Sequence, residues 1–245
     1  MSKAQQADDT LRKSKEIKQK QIAKLKVARE RIAKFQECIA TGTSHTVGVK
    51  SIGTCIAVGI NEYGECRVAG WSNIVAVSAG TGYTIGLKSN GTLTFTGLDN
   101  YEGALQRGIN GWRDIVAISS GGGYYRITKV TMGEALVAGI RSNGTVVTYS
   151  HGYDENWQYS TEGWRSIVAI AASSKHVVGL KADGTVVATG CNDDGECNTS
   201  RWNNIVAVSA CYVLTVGLNA VGTVVVAGDR YFDTRGSKAL ITGKI

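Results

Sequence analysis

One phrase returns four times in this chain: WSNIVAV from Trp71, WRDIVAI from Trp112, WRSIVAI from Trp164 and WNNIVAV from Trp202. The tryptophans stand about 40 residues apart with one longer interval, and self-similarity at such a period marks a stack of equivalent units. After each phrase the text runs on in the same grammar. A second short apolar run follows (YTIGLK, HVVGLK), then a third (TLTFTG, TVVATG), with Asn90-Gly91, Asn143-Gly144 and Asp183-Gly184 between them. Asn-Gly and Asp-Gly between β-branched runs predict hairpins with type I′ turns. Ile52-Gly53 and Val221-Gly222 hold the same place in the first and last copies. The first copy lacks its tryptophan and enters at CIATGTSHTVGVK, so the repeats read 37–70, 71–111, 112–163, 164–201 and 202–245.

Such a unit makes a small sheet, apolar on both faces, that cannot bury itself alone. Radial stacking solves that problem, so the fold class is all-β, a β-propeller of about five repeats with an N-terminal α-helix. The composition agrees: 31 Gly, no Pro and 3 Phe suit a turn-rich β protein. On this reading Trp71, Trp112, Trp164 and Trp202 are structural, one per sheet-to-sheet interface.

The spaced pattern W-x-x-I-V-A-V, then H-T-V-G-L-K-x-D-G-T-V-V-A-x-G, then N-x-x-G-x-C, over about residues 37–229, resembles the repeat of the regulator of chromosome condensation family, in particular its short bacterial-like members. Members of that family usually have seven blades, so five copies leave three arrangements: a ring closed with five, an open one, or two chains completing each other. The resemblance also implies that the last segment, RYFDTRGSKALITGKI, could latch the ring to its beginning. Relatives in the family include GTPase exchange factors, chromatin binders and protein inhibitors of β-lactamase, all of which act by surface contact.

Residues 1–36 are a different text, free of Gly and rich in Ala, Lys, Gln and Arg. Residues 1–40 hold 11 Lys+Arg against 5 Asp+Glu, and the remainder holds 16 against 15, so the excess positive charge lies in this segment. Ile22, Leu25, Ala28, Ile32 and Phe35 make a helical stripe over its second half. Two readings stand: a capping or self-associating coiled-coil helix, and a basic helix offering Lys13, Lys18, Lys20, Lys24, Arg29 and Arg31 to nucleic acid or another anionic partner. The first 20 residues carry no apolar run of a signal peptide and no stretch is long enough for a membrane span, which implies a cytoplasmic chain with reduced cysteines.

The third copy carries an insertion, SSGGGYYRITKVTMGEAL. It reads either as an extended hairpin or as a flexible Gly121–Gly123 stem bearing Tyr124, Tyr125 and Arg126. A second aromatic cluster, with Tyr153, Trp157 and Tyr159, replaces the loop N-x-x-G-x-C in the same copy. A repeat scaffold acquires its particular function where it stops copying itself, so these six residues are the candidate protein-binding set.

Reactive chemistry is not expected. His45 and His176 share a repeat position with Tyr83 and Leu214, which makes them structural, and His151 is a lone loop histidine. Cys191 and Cys197 lack the C-x-x-C or paired histidines of a zinc site, and NDDGE lacks the alternating ligands of a calcium loop. The sequence therefore predicts no catalytic residues, no metal and no cofactor. It predicts a non-catalytic interaction module, scaffold or inhibitor-like, with a protein partner and a possible homo-oligomeric state; an exchange-factor-like regulator is the alternative from the resemblance.

Overall fold

A computed structural model describes residues 38–98, 103–127, 130–151 and 159–228, with the backbone alone for 123–134 and His151. The helix expected over residues 1–36 and the segment from 229 onward lie outside these residues. Five antiparallel sheets follow one another, each made of three strands adjacent in sequence. The first holds β1 (Ile39–Thr41), β2 (His45–Val49) and β3 (Cys55–Gly59); the second β4 (Ile74–Ala79), β5 (Tyr83–Lys88) and β6 (Leu93–Gly97). The third holds β7 (Ile115–Ile127), β8 (Val130–Arg141) and β9 (Val146–His151). The fourth holds β10 (Ile167–Ala172), β11 (His176–Lys181) and β12 (Val186–Gly190); the fifth β13 (Ile205–Cys211), β14 (Leu214–Asn219) and β15 (Val224–Gly228). One short helix, α1 (Ala104–Asn110), stands in the connection between the second and third sheets and buries Leu105 and Ile109.

The repeated phrase now has its physical meaning. In each of the four copies that carry it, the tryptophan ring packs on a glycine in the middle strand of its own sheet. A Cβ on Gly86 would stand 2.8 Å from Trp71, one on Gly139 3.0 Å from Trp112, and those on Gly179 and Gly217 each 2.8 Å from Trp164 and Trp202. Three residues further on, the isoleucine N–H donates to the turn glycine of the preceding sheet: Ile74 to Gly53 at 2.9 Å, Ile115 to Gly91 at 3.1 Å, Ile167 to Gly144 and Ile205 to Gly184 at 3.0 Å. The ring fills the space between two sheets and the isoleucine stitches them together, so the phrase must recur wherever one sheet meets the next. Each buried Val or Ile at such a joint contributes roughly 1.5–3 kcal/mol.

The hairpin turns differ from the sequence expectation. Asn90-Gly91, Asn143-Gly144 and Asp183-Gly184 do not form two-residue type I′ turns. The Gly91 N–H donates to the Lys88 carbonyl and the Lys88 N–H to the Thr92 carbonyl, both at 2.9 Å, and the positive φ falls on the glycine alone. That is a three-residue loop, a type I turn closed by a left-handed glycine in a G1 bulge. Asn90 Oδ1 supports it by accepting from the Thr92 N–H at 3.1 Å and its hydroxyl at 2.7 Å.

The two end sheets differ from the middle three. Middle strands β5 and β11 are buried on both faces, whereas β2 and β14 are buried on alternate residues only. The first sheet turns Ala40, Val47, Val49, Cys55 and Ala57 toward the second; on its other face, which packs on no other sheet among the described residues, Ile39, Ile56 and Val58 are 62%, 53% and 63% exposed. The fifth buries Val208, Ala210 and Val225 against the fourth and leaves Leu218 and Val226 exposed on its far face.

Candidate functional site

At the edge of the sheets where each first strand turns into the second, all five copies converge. Residues 41–43, 79–81, 120–122, 172–174 and 210–212 line one pocket of about 360 Å³. Equivalent positions of every sheet meeting at one pocket is what an axial opening requires. The lining is small and hydroxylic, and it contains no carboxylate, imidazole or ammonium group. Hydroxyls in the lining and just behind it serve the joints: Thr43 Oγ1 pairs with Thr81 Oγ1 and Ser78 Oγ with Ser120 Oγ, each at 2.8 Å, and Ser119 Oγ accepts from the Ala172 N–H at 2.9 Å. At the rim the Lys175 ammonium sits 4.5 Å from the centre of the Tyr212 ring.

Just beneath the pocket are two buried networks that the sequence did not foresee. The Thr215 hydroxyl donates to the Glu196 carbonyl at 2.8 Å, so His176 Nε2, 2.8 Å from the same oxygen, must be the donor to it. His176 Nδ1 then accepts from Ser173 Oγ at 2.9 Å, and that oxygen accepts from the Lys175 and His176 N–H groups at 3.0 Å. A serine beside a histidine invites a nucleophilic reading. Here, however, the hydroxyl caps a turn, and the far nitrogen holds a threonine instead of the carboxylate that would orient a catalytic base. The joint between the first two sheets repeats the arrangement: His45 Nε2 meets Thr84 Oγ1 at 2.8 Å, and Thr84 donates to the Glu65 carbonyl at 2.8 Å. Gly42 replaces the serine there, and His45 Nδ1 is buried without a partner. Burial holds both imidazoles below the ordinary histidine value, against the opposing pull of Glu65 on one and Glu196 on the other.

The carboxylates of Glu65 and Glu196 are themselves buried, and they accept from the Tyr63 and Asp194 N–H groups at 2.9 and 3.0 Å. In the same loops Asn61 and Asn192 accept from the N–H groups of Cys66 and Cys197. N-x-x-G-E-C is thus a self-capped turn. Its signal in the sequence was its company: this loop occurs in the two copies that carry histidine at the position of His45 and His176. Burial pushes the Cys191 thiol up to about 11 and Cys197 up to about 12, so both stay protonated at neutral pH and are poor nucleophiles and ligands.

The third sheet departs from its sisters at this same edge. β7 and β8 run on past the pocket, paired without interruption from Gly121↔Leu136 to Ile127↔Val130. Gly121 to Gly123 form part of the ladder, which is the extended-hairpin reading of the insertion and not the loop stem. Gly121 is required by proximity, since a Cβ there would run into the backbone of Ser173, and its carbonyl accepts from the Tyr83 hydroxyl. Tyr124, Tyr125 and Arg126 lie on the projecting length, opposite Gly133, Met132 and Thr131. Tyr159 sits at the root, half-buried between the third and fourth sheets, with its hydroxyl donating to the Ser174 carbonyl at 3.5 Å. Tyr153, Trp157 and the six basic residues Lys13, Lys18, Lys20, Lys24, Arg29 and Arg31 lie outside the described residues.

Comparison with known proteins points the same way. Residues 167–196 match the family described as the regulator of chromosome condensation (RCC1) repeat. Among solved structures, human WBSCR16 is similar at 12% identity and a TM-score of 0.51, covering 78% of this chain and 61% of that one. The ectodomain of the receptor kinase CR4 from Physcomitrella patens is similar at 18% identity and a TM-score of 0.50, covering 74% of this chain and 47% of that one. Prp20p from Saccharomyces cerevisiae follows at 18% identity and a TM-score of 0.48, covering 76% of this chain and 56% of that one. This chain therefore spans less than two thirds of the length of each of these structures. No curated protein matches it. The repeated phrase and the five three-stranded sheets make this chain a repeat β-propeller, similar to the RCC1 repeat over its matched segment.

Proposed function

We propose that this chain is a non-catalytic protein-interaction module, scaffold or inhibitor-like, which grips its partner through the projecting β7–β8 hairpin. One observation carries the reading: a ladder that in every sister sheet turns back at the pocket continues outward in the third sheet alone, and its sequence there is aromatic and cationic. Tyr and Arg dominate binding hot spots because they combine large contact area with a polar group. A paired ladder holds them at lower entropic cost than a loop would. Residues 1–36 act as a tether or oligomerisation element in the same proposal.

A photo-crosslinking residue placed at Tyr125 in the full chain, irradiated in the cells that make it, is expected to yield a discrete adduct with another protein. The same residue placed at Val221, in an exposed turn of the fifth sheet, is expected to yield none. The absence of an adduct at Tyr125, or an identical pattern from both positions, overturns the reading.

A further inference from the structure

The edge of the sheets opposite the pocket has a composition of its own. There the first strands of the last four sheets begin, and the second residue of each, Val75, Val116, Val168 or Val206, falls at a bulge in the ladder. The isoleucine before each is buried, yet these valines are 49%, 52%, 57% and 54% exposed. The hairpin turns close on the same edge. The N–H groups of Ser89, Ser142 and Ala182 donate to the carbonyls of Asn73, Asp114 and Ser166 at 2.8, 2.8 and 2.9 Å, and each turn glycine accepts from the isoleucine of the next sheet. One arc of backbone thus joins the copies, and the valines stand along it. Cations surround them. Lys88, Arg141 and Lys181 lie opposite Ile74, Ile115 and Ile167 in the ladder, Arg113 and Arg165 stand three residues before Val116 and Val168, and Lys50 opens the first sheet's turn. Asp114 and Asp183 are the carboxylates of these same segments, and Asp183 is engaged by the N–H and hydroxyl of Thr185. The fifth sheet's turn, Asn219-Ala220-Val221-Gly222, carries no charge, so the cationic patch ends at the fourth.

We propose that this patch, an arc of valines rimmed by Lys and Arg, docks a protein whose surface is apolar at its centre and acidic around it. An apolar core with a polar, charged rim is the anatomy of a protein interface, and exposed apolar side chains grouped this way mark one. Complementary charge steers the encounter and fixes its register. Charge also decides among the occupants. The whole chain carries a net charge of +7, so a second copy brings the wrong sign. Residues 1–40, with 11 Lys+Arg against 5 Asp+Glu, and residues 229–245, with four Lys or Arg against two Asp, bring it too. Nucleic acid is the poorer partner, because phosphates are held by hydrogen-bond donors and an aliphatic arc offers them none. The patch and the projecting hairpin lie at opposite edges, so this contact stands or falls separately from the one proposed above.

The test places a photo-crosslinking residue at Val168 of the full chain, irradiated in the cells that make it, with the crosslinked peptide identified by mass spectrometry. The expected result is a discrete protein adduct in a stretch of the partner rich in Asp and Glu, intact after nuclease digestion. Its yield should fall by about tenfold or more in the Lys88→Glu, Lys181→Glu double variant, which circular dichroism shows to be folded. The adduct at Tyr125 is read in parallel and is expected not to change, which separates failure of one contact from failure of the other. No adduct at Val168, an adduct in a stretch without excess Asp and Glu, or a yield unchanged by the double substitution overturns the proposal. So does loss of the adduct to nuclease, which would make nucleic acid the occupant, or an adduct between two copies of this chain.

Discussion

His45 and His176 occupy one repeat position and make the same bond to a threonine of the next sheet, yet their second nitrogens differ. Ser173 supplies a donor to one, and Gly42 leaves the other bare. Both rings are neutral in the folded chain and their folded values lie below the ordinary 6.5. The unfolded chain therefore binds protons that the folded one resists, so the stability these joints contribute is complete above pH 6.5 and declines as pH falls below it. Melting temperature is expected to drop between pH 7.5 and pH 5.5, and the drop should shrink in the His45→Gln, His176→Gln double variant. An unchanged drop would assign the acid sensitivity to other groups. Ser173→Ala removes the acceptor of two backbone N–H groups and the donor to the imidazole, and is expected to cost about 1–3 kcal/mol in urea denaturation. These residues show the limit of sequence reading. That the histidines are structural follows from Tyr83 and Leu214 standing at the same position. That they bond across a joint depends on residues 39 positions apart, which no local pattern connects.

At the scale of the element, much was legible because the repeat states each sheet several times over. Strand order, the role of the tryptophans and the place of every hairpin follow from the recurring phrase. The turn type did not follow. Glycine after Asn or Asp satisfies both a type I′ turn and a G1 bulge, and the choice depends on whether the loop spans two residues or three, which is set by cross-strand register. The insertion was legible as a departure, and the extended hairpin was one of its two readings; the sequence could not choose it over a flexible stem, since three glycines in a row read locally as flexibility. The structure pairs them in the ladder, and at Gly121 a neighbouring backbone leaves no room for a side chain. The same logic of close approach gives a paired prediction. At Gly179 an added Cβ would meet the Trp164 ring at 2.8 Å and Ile167 Cδ1 at 3.2 Å, so Gly179→Ala is expected to cost about 1–3 kcal/mol. Gly111→Ala, where an added Cβ would meet nothing within 4 Å and φ is -82°, should cost less than about 0.5 kcal/mol. Chemical denaturation of the two variants decides, and equal costs would mean that the indole does not crowd Gly179.

In an array of this kind each sheet is stabilised by itself and by its neighbours, and stability is close to a sum of those terms. The second, third and fourth sheets each pack against a sheet on either side. Among the described residues the first packs only on the second and the fifth only on the fourth, leaving their far faces to Ile56, Val58 and Val226. An end sheet that lacks one interface should open without the rest of the molecule. Amide hydrogen exchange is therefore expected to be at least about tenfold faster in β2 and β14 than in β5 and β11, a gap of about 1.4 kcal/mol in local opening. Substitution gives the same contrast across the thickness of one sheet. Val47 is fully buried, so Val47→Ala should lower the melting temperature by about 5 °C or more through lost burial and a residual cavity. Val58→Lys, on the open face, should barely move it. If instead β2 and β14 exchange as slowly as β11, and Val58→Lys destabilises as Val47→Ala does, the two ends meet a covering surface in solution and the ring is complete.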